Sequence, residues 1–337
     1  MELLRIVSMI MVLVVHIDGA SLGLPEPYGH FNTLDSRSIW QLTVEAFAII
    51  GVNCFTIISG YFGIRLRLRS CLSFIFQCLF YSVGIYTAIS IAIPSFFSWE
   101  GWIESWLILS HNDLWYVPAY FGLMIISPVL NAGLESLTKK QYALVLTLFA
   151  FFNIWLGWVW NAQFNPTGYT IVQLIFVYMI GRYIRLYGCK KANAGRTLFT
   201  HRPIWIYIGG SILVLGTSIW MPSVKAFAYN SPAVLLSTIG LFLVFRNMEF
   251  TSRAVNIIAK SAFAVYLIHK NPLIWGNIIR PSVRYMWEHL SLPAFSVAAI
   301  LLIIAIFMAA IIADGIRRQI YEICVNRFLR NTANSPK

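Results

Sequence analysis

A chain of 337 residues that is 58% hydrophobic and only 11% charged falls far below the roughly 25% charged residues of soluble domains and reads as a polytopic membrane protein. Its net charge of +12 would point a soluble protein toward nucleic acid, but the placement of these charges argues for membrane topology instead, and no nucleic-acid partner is expected. Five cysteines without CxxC or His-rich spacing supply neither a disulfide framework nor a metal set.

Apolar runs long enough for a ~30 Å hydrocarbon layer lie at 6–24, 40–61, 71–93, 114–132, 142–160, 167–187, 204–221, 231–247, 261–279 and 294–313. They predict an all-α fold of about ten transmembrane helices, in one membrane-embedded domain over 1–337 that ends in a short basic cytoplasmic tail at 314–337. With a cytoplasmic N-terminus, the cytoplasmic side receives Arg5; Arg65, Arg67 and Arg69; Lys139 and Lys140; Arg182, Arg185, Lys190, Lys191, Arg196 and Arg202; Arg246, Arg253 and Lys260; and Arg317, Arg318, Arg327, Arg330 and Lys337. That is 20 of the 25 cations; Arg37, Lys225, Lys270, Arg280 and Arg284 remain. The positive-inside rule then places both termini in the cytoplasm and asks for an even number of spans. A cleaved signal peptide at the N-terminus would leave an odd number and reverse the bias. The stretch from Arg182 to Pro203 is a cytoplasmic loop too short for a domain. Arg317 to Arg330, with Ile320, Cys324 and Phe328 at helical spacing, reads as an interfacial helix. Cys54, Cys71 and Cys78 fall in or beside helices, and Cys189 and Cys324 on the cytoplasmic side, as small apolar side chains or reduced thiols.

Four places carry possible chemistry. On the first helix Arg5 and His16 stand eleven residues apart, close to three whole turns at about 100° per residue, so they share a face and are separated by roughly 16 Å of axis. Arg5 alone would serve as a topology anchor, and His16 as a hydrogen-bonded histidine between helices. An ionisable side chain at hydrocarbon depth is nevertheless a candidate functional residue, because it must face protein or water. Asp18, two residues on, points to another face. In the second segment Ser59-Gly60 permits close helix approach, while Asn53 and Glu45 set polar groups deeper; the Glu45 carboxylate needs a partner there. Trp115 and Tyr116, after His111-Asn112-Asp113, open the fourth helix, where they could equally form an interfacial aromatic belt. His269 lies nine residues beyond Lys260 and so reaches nearly the depth of His16. Two imidazoles at one level suggest one cavity.

Together these segments resemble the acyltransferase-3 family of integral membrane acyltransferases. The resemblance rests on Arg-x10-His as Arg5 and His16, Phe-x-x-x-Ser-Gly-Tyr/Phe as Phe55, Ser59, Gly60 and Tyr61, Leu-Trp-Tyr/Phe as Leu114, Trp115 and Tyr116, and a late Tyr-Leu-x-His as Tyr266, Leu267 and His269. It implies transfer of an acyl group, most often acetyl, from cytosolic acyl-coenzyme A to a hydroxyl of an envelope glycan (O-antigen, exopolysaccharide or lipid-linked precursor) at the bacterial inner membrane. On this reading Arg5, Arg65, Arg67 and Arg69 supply cations for the donor phosphates. His16 is the base, or an acyl relay, because its pKa lies near ambient pH. Glu45, Ser59 and His269 join it in catalysis; Asn53, Trp115, Tyr116 and Tyr266 contact the acceptor. Ser59, Asn53 or Tyr266 could donate to the oxyanion. Membrane lipids are the other expected partners, and self-association into a homo-oligomer is left open. The rival reading is a transporter or flippase for a lipid-linked glycan, which helices broken at Pro118, Pro128 and Pro272 and the intramembrane Glu45 and His16 would also suit.

Overall fold

The computed structural model describes residues 1–30, 32, 34–110, 114–188 and 202–323, and within them every regular element is helical. Helix α1 (Glu2–Val15) continues as a π-helical turn over His16–Ala20. It is followed by α2 (Ser36–Ala48), α3 (Gly51–Phe62), α4 (Leu68–Ala92), α5 (Trp99–Trp106), α6 (Tyr116–Ser136) and α7 (Lys139–Phe151), the last extended by a π stretch at Phe152–Val159. Then come α8 (Ile171–Tyr187), α9 (Arg202–Trp220), α10 (Ser223–Ala226), α11 (Pro232–Asn247), α12 (Arg253–Lys260), α13 (Ala262–His269), α14 (Pro272–Ile274), α15 (Arg280–His289) and α16 (Leu292–Tyr321). The Arg182–Pro203 loop between 189 and 201, the tail beyond 323, and with them Cys189 and Cys324, lie outside the described residues, as do His111, Asn112 and Asp113.

Among the described residues seven helical segments are long and apolar enough to cross a membrane: Glu2–Ala20, Ser36–Phe62, Leu68–Ala92, Tyr116–Ser136, Lys139–Val159, Pro203–Trp220 and Leu292–Tyr321. The chain is therefore a multi-pass, all-α membrane protein. The other three of the ten predicted runs are helical but shorter. They correspond to α8 with 17 residues, α11 with 16 residues, and a run broken between α13 and α14. The break has a local cause. Pro272 cannot donate a backbone hydrogen bond, and the Asn271 side chain instead accepts from Leu273 N at 3.1 Å, capping a new helix.

Helix starts follow the expected chemistry. Asp35 accepts from Ser38 N at 2.7 Å to begin α2, and Thr138 with Gln141 forms a capping box on α7. Four of the five cations not assigned to the cytoplasmic side are held by carbonyls or aromatic faces. Arg37 donates to Trp287 O and to Leu290 O (2.7 Å), Arg284 to Ser21 O (2.9 Å) and Lys225 to Val159 O (3.0 Å), while Lys270 Nζ sits 4.3 Å from the Trp275 ring centroid.

Helix α1 is the wedge on which the molecule is built. Its Met9, Val12, Leu13 and Ile17 pack into an apolar cluster with residues of α4, α6, α13, α15 and α16. Leu4 packs on the other side with α2, α3, α8, α9 and α11. Within that second group α3 and α8 touch backbone to backbone. A Cβ on Gly60 would overlap the Tyr178 carbonyl, and one on Gly181 would overlap the Ile57 carbonyl, so the glycine of the Ser-Gly-Tyr segment is a packing device. On the first group, Asp314 of α16 is fully buried and accepts from Ser261 Oγ (3.1 Å), Tyr81 Oη (3.2 Å) and Arg317 Nε (2.6 Å). This ion pair anchors the joint between α12 and α13, which carries Lys260 to one side and His269 to the other.

Candidate functional site

A cavity of about 640 Å³ runs beside α1. On that helix and its π turn it is lined by Arg5, Met9, Val12, Val15, His16, Gly19 and Ala20, whose spacing of three and four residues and adjacent pairs mark one helical face. Arg5 and His16 therefore share the cavity, as their spacing predicts. The π-helical turn that starts at His16 widens the helix where the imidazole must point inward, a device often found at functional sites.

His16 and His269 are in direct contact. His269 is fully buried, its Nδ1 lies 2.6 Å from Val265 O, and its Nε2 lies 2.8 Å from His16 Nδ1. These contacts assign the tautomers. A carbonyl only accepts, so His269 Nδ1 carries its proton and donates to Val265; in the neutral ring Nε2 is then an acceptor. His16 Nδ1–H donates to it. What remains on His16 is an Nε2 lone pair, on a side chain that lines the cavity. This is the logic by which a second group sets the tautomer and orientation of a general base. Around the pair, His16 faces Tyr266 at 6.5 Å and Trp275 at 5.8 Å between ring centroids, and Tyr266 meets Tyr116 at 6.0 Å.

The cavity is graded in charge. Arg5 and Lys260 line it toward the start of α1, and His16, Lys270 and Glu45, which stands beside Gly19, line it toward the π-helical turn. Arg5 is paired with Glu2 at 2.8 Å and remains 38% exposed in its side chain. At the Glu45 end Trp115, Tyr169 and Tyr229 form one aromatic wall, with centroid separations of 4.9 Å, 5.8 Å and 4.6 Å.

Of the residues expected at a site, Arg5, His16, Glu45, Ser59, Trp115, Tyr116 and Tyr266 line the cavity, and His269 backs His16 from within the core. Arg65, Arg67 and Arg69 do not: they are exposed on the turn between α3 and α4 and at the start of α4, off the cavity. They follow the end of α3, which runs toward the Arg5 end, so they flank the expected end of the molecule without lining the cavity. Asn53 is also elsewhere. It donates to Tyr229 O (2.9 Å) and accepts from Gln173 Nε2 (3.2 Å), in a buried amide network with Asn153 and Asn165 that joins α3, α8 and the π stretch after α7. Satisfied on both sides, it is interhelical glue rather than a ligand.

Ser59 lines the cavity at the wrong depth for an oxyanion donor to a group at His16. Glu45 stands beside Gly19, and Gly51 against Ser8 and Val12, so α1 and the α2–α3 segment run antiparallel. Ser59 lies eight residues beyond Gly51, about 12 Å toward the Arg5 end, whereas His16, four to eight residues beyond the part of α1 that Gly51 meets, is about 6 to 12 Å the other way. Its hydroxyl donates to Phe55 O (3.0 Å) and meets Tyr120 Oη (3.2 Å). Of the three oxyanion candidates only Tyr266 accompanies His16. Sequence reasoning missed Tyr120, Tyr169, Tyr229, Lys260 and Lys270 as cavity residues; only Lys270, next to His269, carried a positional hint.

Compared with known families, residues 1–314 match the acyltransferase-3 family, described as an acyltransferase domain. No curated protein and no solved structure matches the chain.

Proposed function

Because this chain belongs to the acyltransferase-3 family and is a membrane acyltransferase, we propose that it moves an acyl group, acetyl in the simplest case, from cytosolic acyl-coenzyme A to a sugar hydroxyl of a bacterial envelope glycan. The observation that carries this reading is the His16–His269 pair, whose hydrogen bonds leave His16 Nε2 as an acceptor on the cavity. A sugar hydroxyl is a weak nucleophile near neutral pH and needs such a base.

The donor enters at the Arg5 and Lys260 end, its phosphates on those cations and its thioester arm along the α1 face. His16 Nε2 takes the hydroxyl proton as the oxygen attacks the thioester carbonyl carbon. Tyr266 and the Lys270 ammonium stabilise the tetrahedral oxyanion. Collapse expels the coenzyme A thiolate, which recovers the proton from the His16 imidazolium and leaves as the thiol. Attack by His16 itself, giving an acyl-imidazole that the hydroxyl then discharges, is the two-step version of the same chemistry. Purified protein supplied with radiolabelled acetyl-CoA and glycan acceptor tests the reading: stoichiometric thiol release and O-acetyl product support it, whereas glycan translocation without transfer supports a flippase.

Donor docking has its own test. Arg5→Ala is expected to weaken acetyl-CoA binding by about tenfold, the lower end for a charge-assisted contact because Arg5 is partly screened and already paired with Glu2. Arg5→Lys keeps a point charge without the bidentate fork and falls between the two. Unchanged affinity in Arg5→Ala by titration calorimetry would reduce Arg5 to a topology anchor.

Orientation follows the same partition of charge. In a background without the native cysteines, a cysteine at Leu186, in the basic last turn of α8, is expected to react with an impermeant maleimide only from the cytoplasm. One at Trp99 of α5, which is 71% exposed, should react only from outside. The opposite pattern places the donor end of the cavity on the wrong side.

A further inference from the structure

Glu45 is 3% exposed and lines the cavity. Its Oε1 packs against Gly19, and its Oε2 is buried without a hydrogen-bond partner among the described residues. A buried carboxylate oxygen left in this state costs free energy that a hydrogen-bond donor in the cavity would recover. Asp18, next to Gly19 in the chain, keeps one oxygen on Gln41 Nε2 (2.9 Å) and has its other also buried and unpartnered. Among the described residues no cation is paired with either carboxyl, so this end of the cavity offers no counter-charge to a carboxylate or phosphate. Beside Glu45 stand the rings of Trp115, Tyr169 and Tyr229, in contact with one another as a continuous wall. A wall of this kind offers flat π surface to the apolar C–H face of a ring.

We infer that the Glu45 end of the cavity is a subsite for a neutral, hydroxyl-bearing pyranose ring, laid against Trp115, Tyr169 and Tyr229 with a ring hydroxyl donating to Glu45 Oε2, and that it rejects rings bearing a carboxylate or phosphate. The inference rests on the acyl-transfer reading of the same cavity and adds the charge class of the acceptor. Glu45 on this account is not a base. It orients the sugar so that a neighbouring hydroxyl reaches His16, and an anionic sugar is rejected because its charge would be desolvated there without a cationic partner.

Ligand-observed saturation-transfer NMR on the full chain in nanodiscs tests this, with methyl glucoside, methyl galactoside, methyl glucuronide and methyl glucosaminide as probes. Wild type is expected to bind a neutral hexoside at least tenfold more tightly than the glucuronide, on the order of one charge-assisted contact. Glu45→Gln, which keeps the shape, should lose about tenfold for that hexoside and narrow the gap to the glucuronide; Trp115→Ala should weaken both alike. Acetyl-CoA binding, measured on the same samples, serves as the control for folding and should be unchanged in Glu45→Gln. Equal binding of glucuronide and hexosides by wild type, no effect of Glu45→Gln, preference for the amine-bearing glucosaminide, or no glycoside binding at all each overturns the subsite. Glu45-dependent hexoside binding by a protein that transfers no acyl group would instead leave the subsite standing and remove the acyl-transfer reading. Acyl transfer to acidic sugars would do the reverse.

Discussion

His16→Ala is expected to lower acyl transfer by roughly 10²- to 10⁴-fold while leaving acetyl-CoA binding and detergent-phase elution as in the wild type, because it deletes the base and its bond to His269 without touching the donor end. His269 acts through His16, so its replacements separate geometry from chemistry. His269→Gln can still offer an acceptor oxygen to His16 Nδ1–H and should retain part of the rate; His269→Ala leaves that N–H without a partner and allows the wrong tautomer, and should lose more. The effect belongs in turnover, not in donor affinity. Wild-type turnover by a well-folded His16→Ala protein would remove the base from the mechanism, and equal rates for the two His269 variants would remove the tautomer argument.

Gly60→Ala is expected to cost about 3 kcal/mol or more of stability, because its Cβ would overlap backbone of α8 rather than the end of a flexible side chain. Gly181→Ala, pressing back on α3 at the same crossing, should behave alike, and the pair should not be additive. Gly84→Ala on α4, where a Cβ meets nothing within 4 Å, is the control and should be neutral or slightly stabilising. Thermal stability followed by fluorescence-detected size exclusion distinguishes these outcomes. A Gly60→Ala protein as stable as wild type would show that the α3–α8 contact is looser than the backbone positions indicate. The result also bears on function, since a lost crossing displaces Phe55 and Ser59 from the cavity wall.

What could be read from the chain alone was what a single helix or a single boundary controls. Hydrophobic run length specified an all-α, multi-pass protein, and seven of the ten predicted runs are helices of spanning length. The 3.6-residue period placed Arg5 and His16 on one face, since helical phase depends on no partner. Depth counting placed His16 near His269 for the same reason. The rest required the packed structure. Asn53 looked like Glu45 in the sequence, a polar residue within an apolar segment; long-range neighbours decide that one is consumed by Gln173 and the Tyr229 carbonyl while the other keeps an unpartnered oxygen at the cavity. Arg65, Arg67 and Arg69 carried the denser charge signal, yet Lys260, brought in by α12 packed beside α1, lines the cavity in their place. Tyr169 and Tyr229 lie 60 residues apart in the chain and join Trp115 only through the fold. The tautomer of His16 depends on the Val265 carbonyl, one helical turn behind His269 and 249 residues from His16. Local periodicity determines which face of a helix a residue occupies, but what that face meets is set by contacts distant in sequence, and these decide whether a polar side chain is satisfied by the fold or left for a ligand.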